Sequence, residues 1–269
     1  MSLAVCATPI GNLEDVTLRV LRELGEADLV LCEDTRHTRV LLERHGIKAR
    51  LLSYHEHNEA RRTAEVLPRL SAGERVALVS DAGMPSISDP GARLIAAARA
   101  KGIAVTVLPG PSAVETALVA SGFEAARFQF VGFLPRSAGQ LAALWGELAQ
   151  WRHALVAFES PQRLGRSLAS LAEALPDRPV AVCRELTKRF EEVVSGPASE
   201  VAERFAEGAK GEITLVVGPA PAADEPADEG EALQAVAELV AAGTPRRTAA
   251  DVVSGLTGIP RNRLYRASL

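Results

Sequence analysis

Short runs rich in valine, leucine and isoleucine alternate with segments of helical period along most of this chain, and few folds satisfy that alternation. A run that is apolar on both sides suits a strand buried on both faces, and crossover helices supply the two covers, so the pattern reads as α/β with largely parallel strands. In the first half it predicts strands over 3–7, 29–32, 51–54, 76–79 and 103–108, with helices over 17–24, 38–44, 59–70 and 92–101. Gly25, Gly46, Gly73 and Gly102 fall just after the four predicted helices, where a left-handed residue closes the last turn.

A second series starts beyond residue 122, with strands predicted over 128–133, 155–158, 180–183, 191–194 and 213–217 and helices over 138–151, 163–175 and 200–205. The step from "CRELTKRFEE" into "VVSGP" leaves no room for a crossover helix, so this second sheet should be mixed. The expected organisation is an N-terminal α/β domain over 1–112 and a second α/β domain over 113–218, with a ligand cleft between them. An acidic Ala/Pro linker over 219–232 and a small helix-turn-helix-like module over 233–269 follow. In that module Thr248 is the expected N-cap of the first helix and Pro260 the opening residue of the second.

Composition excludes several classes. No apolar run approaches a membrane span and the chain enters "LAVCAT" without a signal-like leader, so a cytoplasmic protein with no membrane association is expected. Cys6, Cys32 and Cys183 sit singly in apolar strand-like runs and read as reduced core thiols. The net charge of −4 gives no overall attraction to nucleic acid, but it conceals a division. The stretch 218–232 carries five acids and no Lys or Arg, whereas 243–269 carries Arg246, Arg247, Arg261, Arg263 and Arg266 against Asp251 alone.

Five polar loops follow the first five predicted strands: "TPIGNL", "EDTRHT", "HEHNE", "SDAGMPSISDPG" and "PGPSA". Parallel strands end at one edge of a sheet, so these loops converge where ligands of open α/β folds bind. None reads G-x-x-x-x-G-K-S/T, and no G-x-G-x-x-G follows the first strand, which removes the P-loop and the nicotinamide fingerprint. His55, His57 and Glu59 alternate, with His37 a further candidate, but no cysteine or second acidic cluster completes a coordination set, and no metal is expected.

The segments "TPIGNLEDVTLRVL", "EDTRHTRVLLERHGI", "SYHEHNE", "VALVSDAGMPSISDPG", "LPGPSA" and "CRELTK", in this order and spacing, closely resemble the tetrapyrrole-methylase-like S-adenosylmethionine methyltransferases over residues 3–218. Within that family they look like the branch that methylates the 2′-oxygen of a cytidine in the decoding region of 16S ribosomal RNA. The tail resembles the helix-turn-helix module of the same branch. Relatives acting on tetrapyrroles read G-x-G-P-G at the first loop and G-D-P at the fourth; here stand Thr8-Pro9-Ile10-Gly11-Asn12 and Gly83-Met84-Pro85, which argues against a tetrapyrrole substrate.

The resemblance implies S-adenosylmethionine as cofactor, folded into the cleft. Pro9, Asp81, Gly83, Pro85, Ser86, Ile87, Ser112 and Ala113 are its expected contacts from the first half, with Phe158 and Thr214 closing over it from the second. Gly83 would let the backbone approach, and free N–H and C=O groups over 82–87 would read the adenine and the amino-acid end. Candidates for the proton acceptor, or for orienting the hydroxyl, are Glu33, Asp34, His57 and Glu59 at strand ends. Three of them have a named structural alternative: Asp34 as a helix cap, His57 as a hydrogen-bonding histidine, Glu59 as a first-turn dipole partner.

The implied partner is 16S ribosomal RNA or the small ribosomal subunit, met by Arg36, Arg136, Arg184 and Lys188 and by Arg246, Arg247, Arg261 and Arg263 of the tail; Arg163 and Arg266 are further basic candidates. A homodimer is expected from the family. Two other readings stay open from the residues alone. One is a tetrapyrrole or other small-molecule methylase, the other a ligand-sensing regulator whose tail binds nucleic acid.

Overall fold

The computed structural model describes residues 2–124, 126–149, 151–220 and 229–269, in two compact units, Met1–Ala220 and Pro221–Leu269. The larger unit holds two five-stranded sheets. The first is built from β1 (Ser2–Cys6), β2 (Leu29–Cys32), β3 (Leu51–Ser53), β4 (Val76–Leu78) and β5 (Ala104–Leu108), in the order β3-β2-β4-β1-β5 and parallel throughout. Alternate residues of these strands point to opposite faces and bury two separate clusters. Leu3, Val5, Leu29, Leu31, Val76 and Leu78 pack on α3 (Glu59–Ser71) and α4 (Ala92–Ala100). Ala4, Cys6, Val30, Cys32 and Ala77 pack on α1 (Leu18–Glu26) and α2 (Thr35–Arg44).

Local signals fix the helix ends, with two departures from the sequence reading. Thr17 caps α1 by accepting a hydrogen bond from the Val20 N–H at 3.1 Å. Gly46, Gly73 and Gly102 take the left-handed conformation, with φ of 66°, 100° and 69°. Gly25, expected to do the same, lies inside α1, which runs on to Glu26 and closes with Ala27 in an extended conformation. α2 begins three residues before the predicted start because Asp34 caps it, accepting from the Arg36 N–H at 2.8 Å.

The second sheet consists of β6 (Phe128–Phe133), β7 (Ala154–Glu159), β8 (Pro179–Arg184), β9 (Glu192–Pro197) and β10 (Ile213–Val217), ordered β6-β7-β10-β8-β9. Only β6 and β7 pair in parallel; the short turn after β8 forces an antiparallel β8–β9 pair, so the sheet is mixed. α6 (Ala138–Ala149), α7 (Leu164–Ala174) and α8 (Ala198–Arg204) cover one face around the buried Trp145. α5 (Ala113–Ser121) leaves the first sheet through the loop after β5 and covers the other face with Val114, Ala117 and Leu118. Ile10, from the loop after β1, joins that same cluster, so the two sheets are knit by shared core rather than by a linker.

The smaller unit is three helices, α9 (Glu229–Ala241), α10 (Arg246–Thr257) and α11 (Arg261–Ala267), around Val236, Ala249, Ala250, Val253 and Leu264. Residues 221–228 of the expected linker lie outside the described residues, and 229–232 are the first turn of α9 rather than linker. Pro245, not Thr248, holds the N-cap position of α10, and Pro260 precedes α11 as its N-cap instead of opening it. Both prolines sit where a missing N–H costs nothing and their fixed φ, −54° and −55°, leads into the helix. No helix among the described residues is long and apolar enough to cross a membrane. The three cysteines are buried and free, and burial pushes the thiols of Cys6 and Cys183 up to about 12.

Candidate active site between the two sheets

The five loops leave one edge of the first sheet, as parallel pairing requires, but the strand order decides which of them meet the second sheet. β4, β1 and β5 are consecutive, and their loops face β7, β10 and the β8–β9 turn across a cavity of about 430 Å³. Its walls are mostly apolar, with Ile10, Val114, Cys183 and Leu186 on one side and Phe158 on another. Phe158 is held edge-on between Phe130 and Phe133, at centroid distances of 5.0 and 5.5 Å, and Phe133 is 60% exposed at the mouth. Four carboxylates also line it: Asp81, Asp89, Glu159 and Glu212.

The long loop after β4 is stitched to the loop after β1. The Thr8 N–H donates to the Gly83 carbonyl at 2.9 Å and the Gly83 N–H to the Thr8 carbonyl at 3.0 Å. Thr8 Oγ1 adds a bond to the Ser80 carbonyl at 3.0 Å. Gly83 therefore has its N–H and C=O already paired with Thr8. Its φ of 72° needs glycine, whereas a Cβ there would make ordinary contacts, 3.6 Å from Ile10 and 3.7 Å from the Pro111 carbonyl. Further along, Ser86 and Ser88 hold left-handed φ of 71° and 64°, a strained conformation for residues with side chains. The loop ends at Gly91, with φ of 141°, whose N–H donates to Glu59 Oε1 at 3.0 Å.

Of the expected donor contacts, Asp81, Gly83, Ile87, Ser112, Ala113, Phe158 and Thr214 line this cavity. Pro9 lines a smaller adjoining recess of about 100 Å³ that shares Ile10, Asp81 and Glu212 with the first. Pro85 is buried beneath the loop and lines neither; the Ser86 hydroxyl is likewise buried, with no partner. Ser112 stands at the N-cap position of α5 without a capping bond, its hydroxyl turned to Glu115.

The acid and base candidates Glu33, Asp34, His57 and Glu59 line neither cavity; from the segment after β2 it is His37 and Thr38 that reach the smaller recess. Asp34 is occupied as the cap of α2 and as a bidentate partner of Arg36, whose hydrogen bonds hold its carboxyl well below the usual range. Glu59 accepts from the Tyr54 hydroxyl at 3.2 Å and from Gly91, so it braces the end of the β4 loop. His57 is exposed, with its ring 6.0 Å from that of His55. Glu33 is half-buried, and burial first, then Asp81, raises its carboxyl above the ordinary value. No group of three or more His, Cys, Asp or Glu among the described residues could hold a metal ion.

Sequence reasoning missed Asp89, Phe133, Glu159, Glu212 and Leu186. Asp89 was in view within the "SISDPG" segment, but nothing in the sequence shows that the loop doubles back to bring it to the cavity. Burial, then Glu33, pushes its carboxyl up to about 6. Glu159 is fully buried and held by Arg163, by the Ser160 N–H and by the Ser167 hydroxyl at 2.6 Å.

The basic candidates are mostly paired. Arg184 meets Glu192 at 3.0 Å, and Lys188 meets both Glu185 and Glu212 at 3.0 Å. In the tail, Arg263 is bidentate with Glu229, Arg261 meets Asp251 at 3.2 Å, and Arg246 binds the Ser268 carbonyl. Arg136 and Arg247 are exposed and enter none of these pairs.

Comparison with known proteins agrees with this layout. Residues 2–202 match the model of the tetrapyrrole (corrin/porphyrin) methylases, and residues 226–269 match the RsmI C-terminal HTH domain. A ribosomal RNA small subunit methyltransferase I from Mesorhizobium japonicum is 46% identical over 272 residues, covering 100% of this chain and 91% of that one. Its namesake from Thermotoga maritima is 46% identical over 216 residues, 80% of this chain and 97% of that one. Among solved structures, a uroporphyrin-III C-methyltransferase from Thermus thermophilus complexed with S-adenyl homocysteine superposes with a TM-score of 0.58 at 20% identity, covering 81% of this chain and 97% of that one. The fold with its paired sheets and the full-length matches agree, and the chain is a methyltransferase belonging to the tetrapyrrole methylases and, within them, to the ribosomal RNA small subunit methyltransferase I family.

Proposed function

We propose that the protein uses S-adenosylmethionine to methylate the ribose 2′-hydroxyl of a cytidine in the decoding region of 16S ribosomal RNA. The observation that carries the reading is the inter-sheet cavity, lined by seven of the ten residues that the family resemblance assigns to the donor. Its volume of about 430 Å³ suits a nucleoside-sized ligand, and small-molecule sites are mostly apolar with a few placed polar groups. When bound, S-adenosylmethionine supplies a methyl group on a sulfonium centre, open to in-line displacement by an oxygen nucleophile.

The chain's own groups divide the work. The edge-on Phe130, Phe158 and Phe133 set offers apolar surface for a purine ring. The start of α5 at Ser112 and Ala113 presents unpaired N–H groups suited to a carboxylate. Asp81 and Asp89, the lining carboxylates without an ion pair among the described residues, favour a cationic ligand over a neutral one, the sense needed to bind donor and release product. Ile10 and Leu186 join the apolar wall of the cavity to the core beneath it. Arg136 and Arg247 are the readiest phosphate contacts, since Arg36, Arg184, Lys188, Arg246, Arg261 and Arg263 must exchange a present partner for RNA. A cytoplasmic location and a homodimer belong to the same reading through the family resemblance.

The test is calorimetric titration with S-adenosylmethionine, followed by transfer of labelled methyl to small ribosomal subunits, free 16S RNA and a porphyrin precursor. Label recovered in a 2′-O-methylcytidine after nuclease digestion supports the reading. Label in the porphyrin precursor replaces it by a small-molecule methylase, and donor binding without transfer to any acceptor replaces it by a sensor.

A further inference from the structure

The donor reading draws on the larger cavity and takes only Pro9 from the adjoining recess of about 100 Å³, beyond the residues that the two share. Pro9 and Leu13 from the loop after β1 and Leu41 from α2 give the recess apolar sides, and Lys188 from the β8–β9 turn gives it a cation. Ile10, Asp81, Ala82 and Glu212 border both spaces, so a group seated in the recess lies against whatever the cavity holds. The hydroxyls of the recess are already engaged. Thr8 Oγ1 donates to the Ser80 carbonyl at 3.0 Å, Ser80 Oγ to the Ala82 carbonyl at 3.2 Å, and the Thr38 hydroxyl is bonded to the Cys32 thiol. The side-chain donors left for a ligand, among the described residues, are the exposed ring of His37 and the ammonium of Lys188.

Lys188 is the more firmly placed of the two. Its ammonium donates to Glu185 Oε1 and to Glu212 Oε2, each at 3.0 Å, which uses two of its three N–H donors. Glu185 Oε1 also accepts the Glu212 N–H at 2.9 Å, which ties the two acidic residues together. The turn that carries the lysine is strained: Glu185 and Thr187 hold φ of 52° and 65°, a region that a β-branched residue rarely enters. Thr187 is kept there by Glu191, which accepts its N–H at 2.5 Å, and by the Asn12 N–H, which donates to its hydroxyl at 3.0 Å. Gly11 packs on the stem of Lys188 itself, since a Cβ there would lie 2.6 Å from Lys188 Cγ. Backbone strain that surrounding contacts over-determine clusters at functional sites, and here it fixes one ammonium at the wall of the recess.

The charge around that ammonium decides what it can meet. Glu185 and Glu212 flank it and Asp81 lines the same recess, so the acids there outnumber the lysine. A phosphate would face those carboxylates, and Lys188 would have to release one of them to pair with it. A neutral hydroxyl meets no such repulsion and needs only the third N–H. The recess is also far smaller than the donor cavity, and its apolar sides admit one edge of a sugar rather than a base with its sugar. We infer that the recess is the subsite for the acceptor ribose, in which Lys188 donates a hydrogen bond to the oxygen of the hydroxyl that receives the methyl. The inference rests on the methyl-transfer reading above and deepens it, putting a sugar contact at Lys188 in place of a phosphate contact. A hydroxyl oxygen has two lone pairs. The bond from Lys188 takes one and leaves the other to face the wall that the recess shares with the donor cavity, the alignment that an in-line transfer needs.

The test uses the full-length protein and small ribosomal subunits or 16S RNA, whichever the parent methylates. Lys188→Met keeps an unbranched stem and removes the donors. It is expected to keep S-adenosylmethionine affinity, since Lys188 does not line the donor cavity. Its kcat/KM for the RNA should fall about 10–150-fold, the range for a hydrogen bond from a charged group. The salt dependence of RNA binding should keep the parent's slope, whereas a lost phosphate contact would flatten it by about 0.7–0.9 on a log–log plot. Lys188→Arg keeps the charge, and its planar fork is not expected to restore turnover, although a phosphate would accept it. The same RNA with 2′-deoxycytidine at the methylated position probes the contact from the other side. The parent should bind it less tightly than the ribose form, and Lys188→Met should bind the two alike. The comparison on the parent stands even where Lys188→Met folds poorly. A parent that binds both forms equally, or a Lys188→Met variant that separates them as well as the parent does, overturns the sugar contact. So does a flattened salt slope, full turnover in Lys188→Arg, or a donor affinity that falls as far as turnover. A parent that binds S-adenosylmethionine and transfers no methyl to RNA overturns the underlying reading instead, and the assignment falls with it.

Discussion

The contact that holds the two sheets at a fixed separation can be tested at a single glycine. Gly11, in the loop after β1, faces the β8–β9 turn so closely that a Cβ would sit 2.6 Å from Lys188 Cγ, 2.7 Å from Thr187 Oγ1 and 2.8 Å from the Leu186 carbonyl. The lysine stem can swing aside, but the carbonyl is backbone, and Thr187 is held by the Asn12 N–H at 3.0 Å. Gly11→Ala must therefore push the loop and the turn apart. Overpacking of this kind costs about 1–3 kcal/mol. For a folded unit of this size each kcal/mol moves the melting temperature by about 2–4 °C, so a fall of about 2–12 °C is expected. The same wedge acts beside Ile10 and Leu186, which line the cavity, so donor affinity should fall with stability. Gly146→Ala is the control: this exposed position in α6 has nothing within 4 Å of a Cβ, and removing a mid-helix glycine should stabilise by up to about 1 kcal/mol. Thermal unfolding with and without S-adenosylmethionine reads both variants. A Gly11→Ala protein that melts within about 1 °C of the parent and binds donor equally would refute the claim that the sheets abut there.

Three other outcomes follow from the same contacts. Arg163→Ala leaves the buried Glu159 carboxylate without its cation, and chemical denaturation should show a loss of about 3–5 kcal/mol, partly restored by adding Glu159→Gln. Gly83→Ala should cost about 1–2 kcal/mol through its left-handed φ yet still bind donor, whereas the branched side chain of Gly83→Val should abolish binding; calorimetry separates the two. In the tail, Arg247→Ala should weaken RNA binding and flatten its log–log salt dependence by about 0.7–0.9, while Arg263→Ala, which removes a partner of Glu229, should chiefly lower the melting temperature of the smaller unit.

The sheets were legible because burial on both faces leaves a direct trace: the near-continuous apolar runs at β2 and β4 became strands with those cores. The mixed second sheet could be read from one short connection. Strand order left no such trace, since a run of apolar residues does not say which neighbour it pairs with. That is why the sequence does not show that Glu33, Asp34, His57 and Glu59 stand one layer outside the cavity while His37 and Thr38 line its adjoining recess. Helix α9 was hidden for a different reason. Its acidic first turn, Glu229 and Glu231, continues the composition of the stretch before it, and acids at a helix N-terminus look like linker until the apolar spacing of Leu233, Val236 and Val240 is weighed. At Gly83 the structure shows a conformational need for glycine, a left-handed φ, with its own N–H and C=O paired to Thr8.

The outer loops still bear on the chemistry, one layer removed. Asp34 presents its N–H to Asp81, Glu59 holds the end of the loop that carries Asp89, and Glu33 lies near enough to Asp89 to oppose its ionisation. The residues after β2 and β3 therefore act on the loop that β4 presents, and substituting Glu59 should loosen the end of that loop. The motifs "EDTRHT" and "HEHNE" are then intelligible beside "SDAGMPSISDPG": the central strand supplies the loop that lines the cavity, and the two strands on one side of it supply the caps and braces that keep a strained loop in place. A site of this construction can change acceptor by altering the central loop, provided the flanking braces continue to fit it.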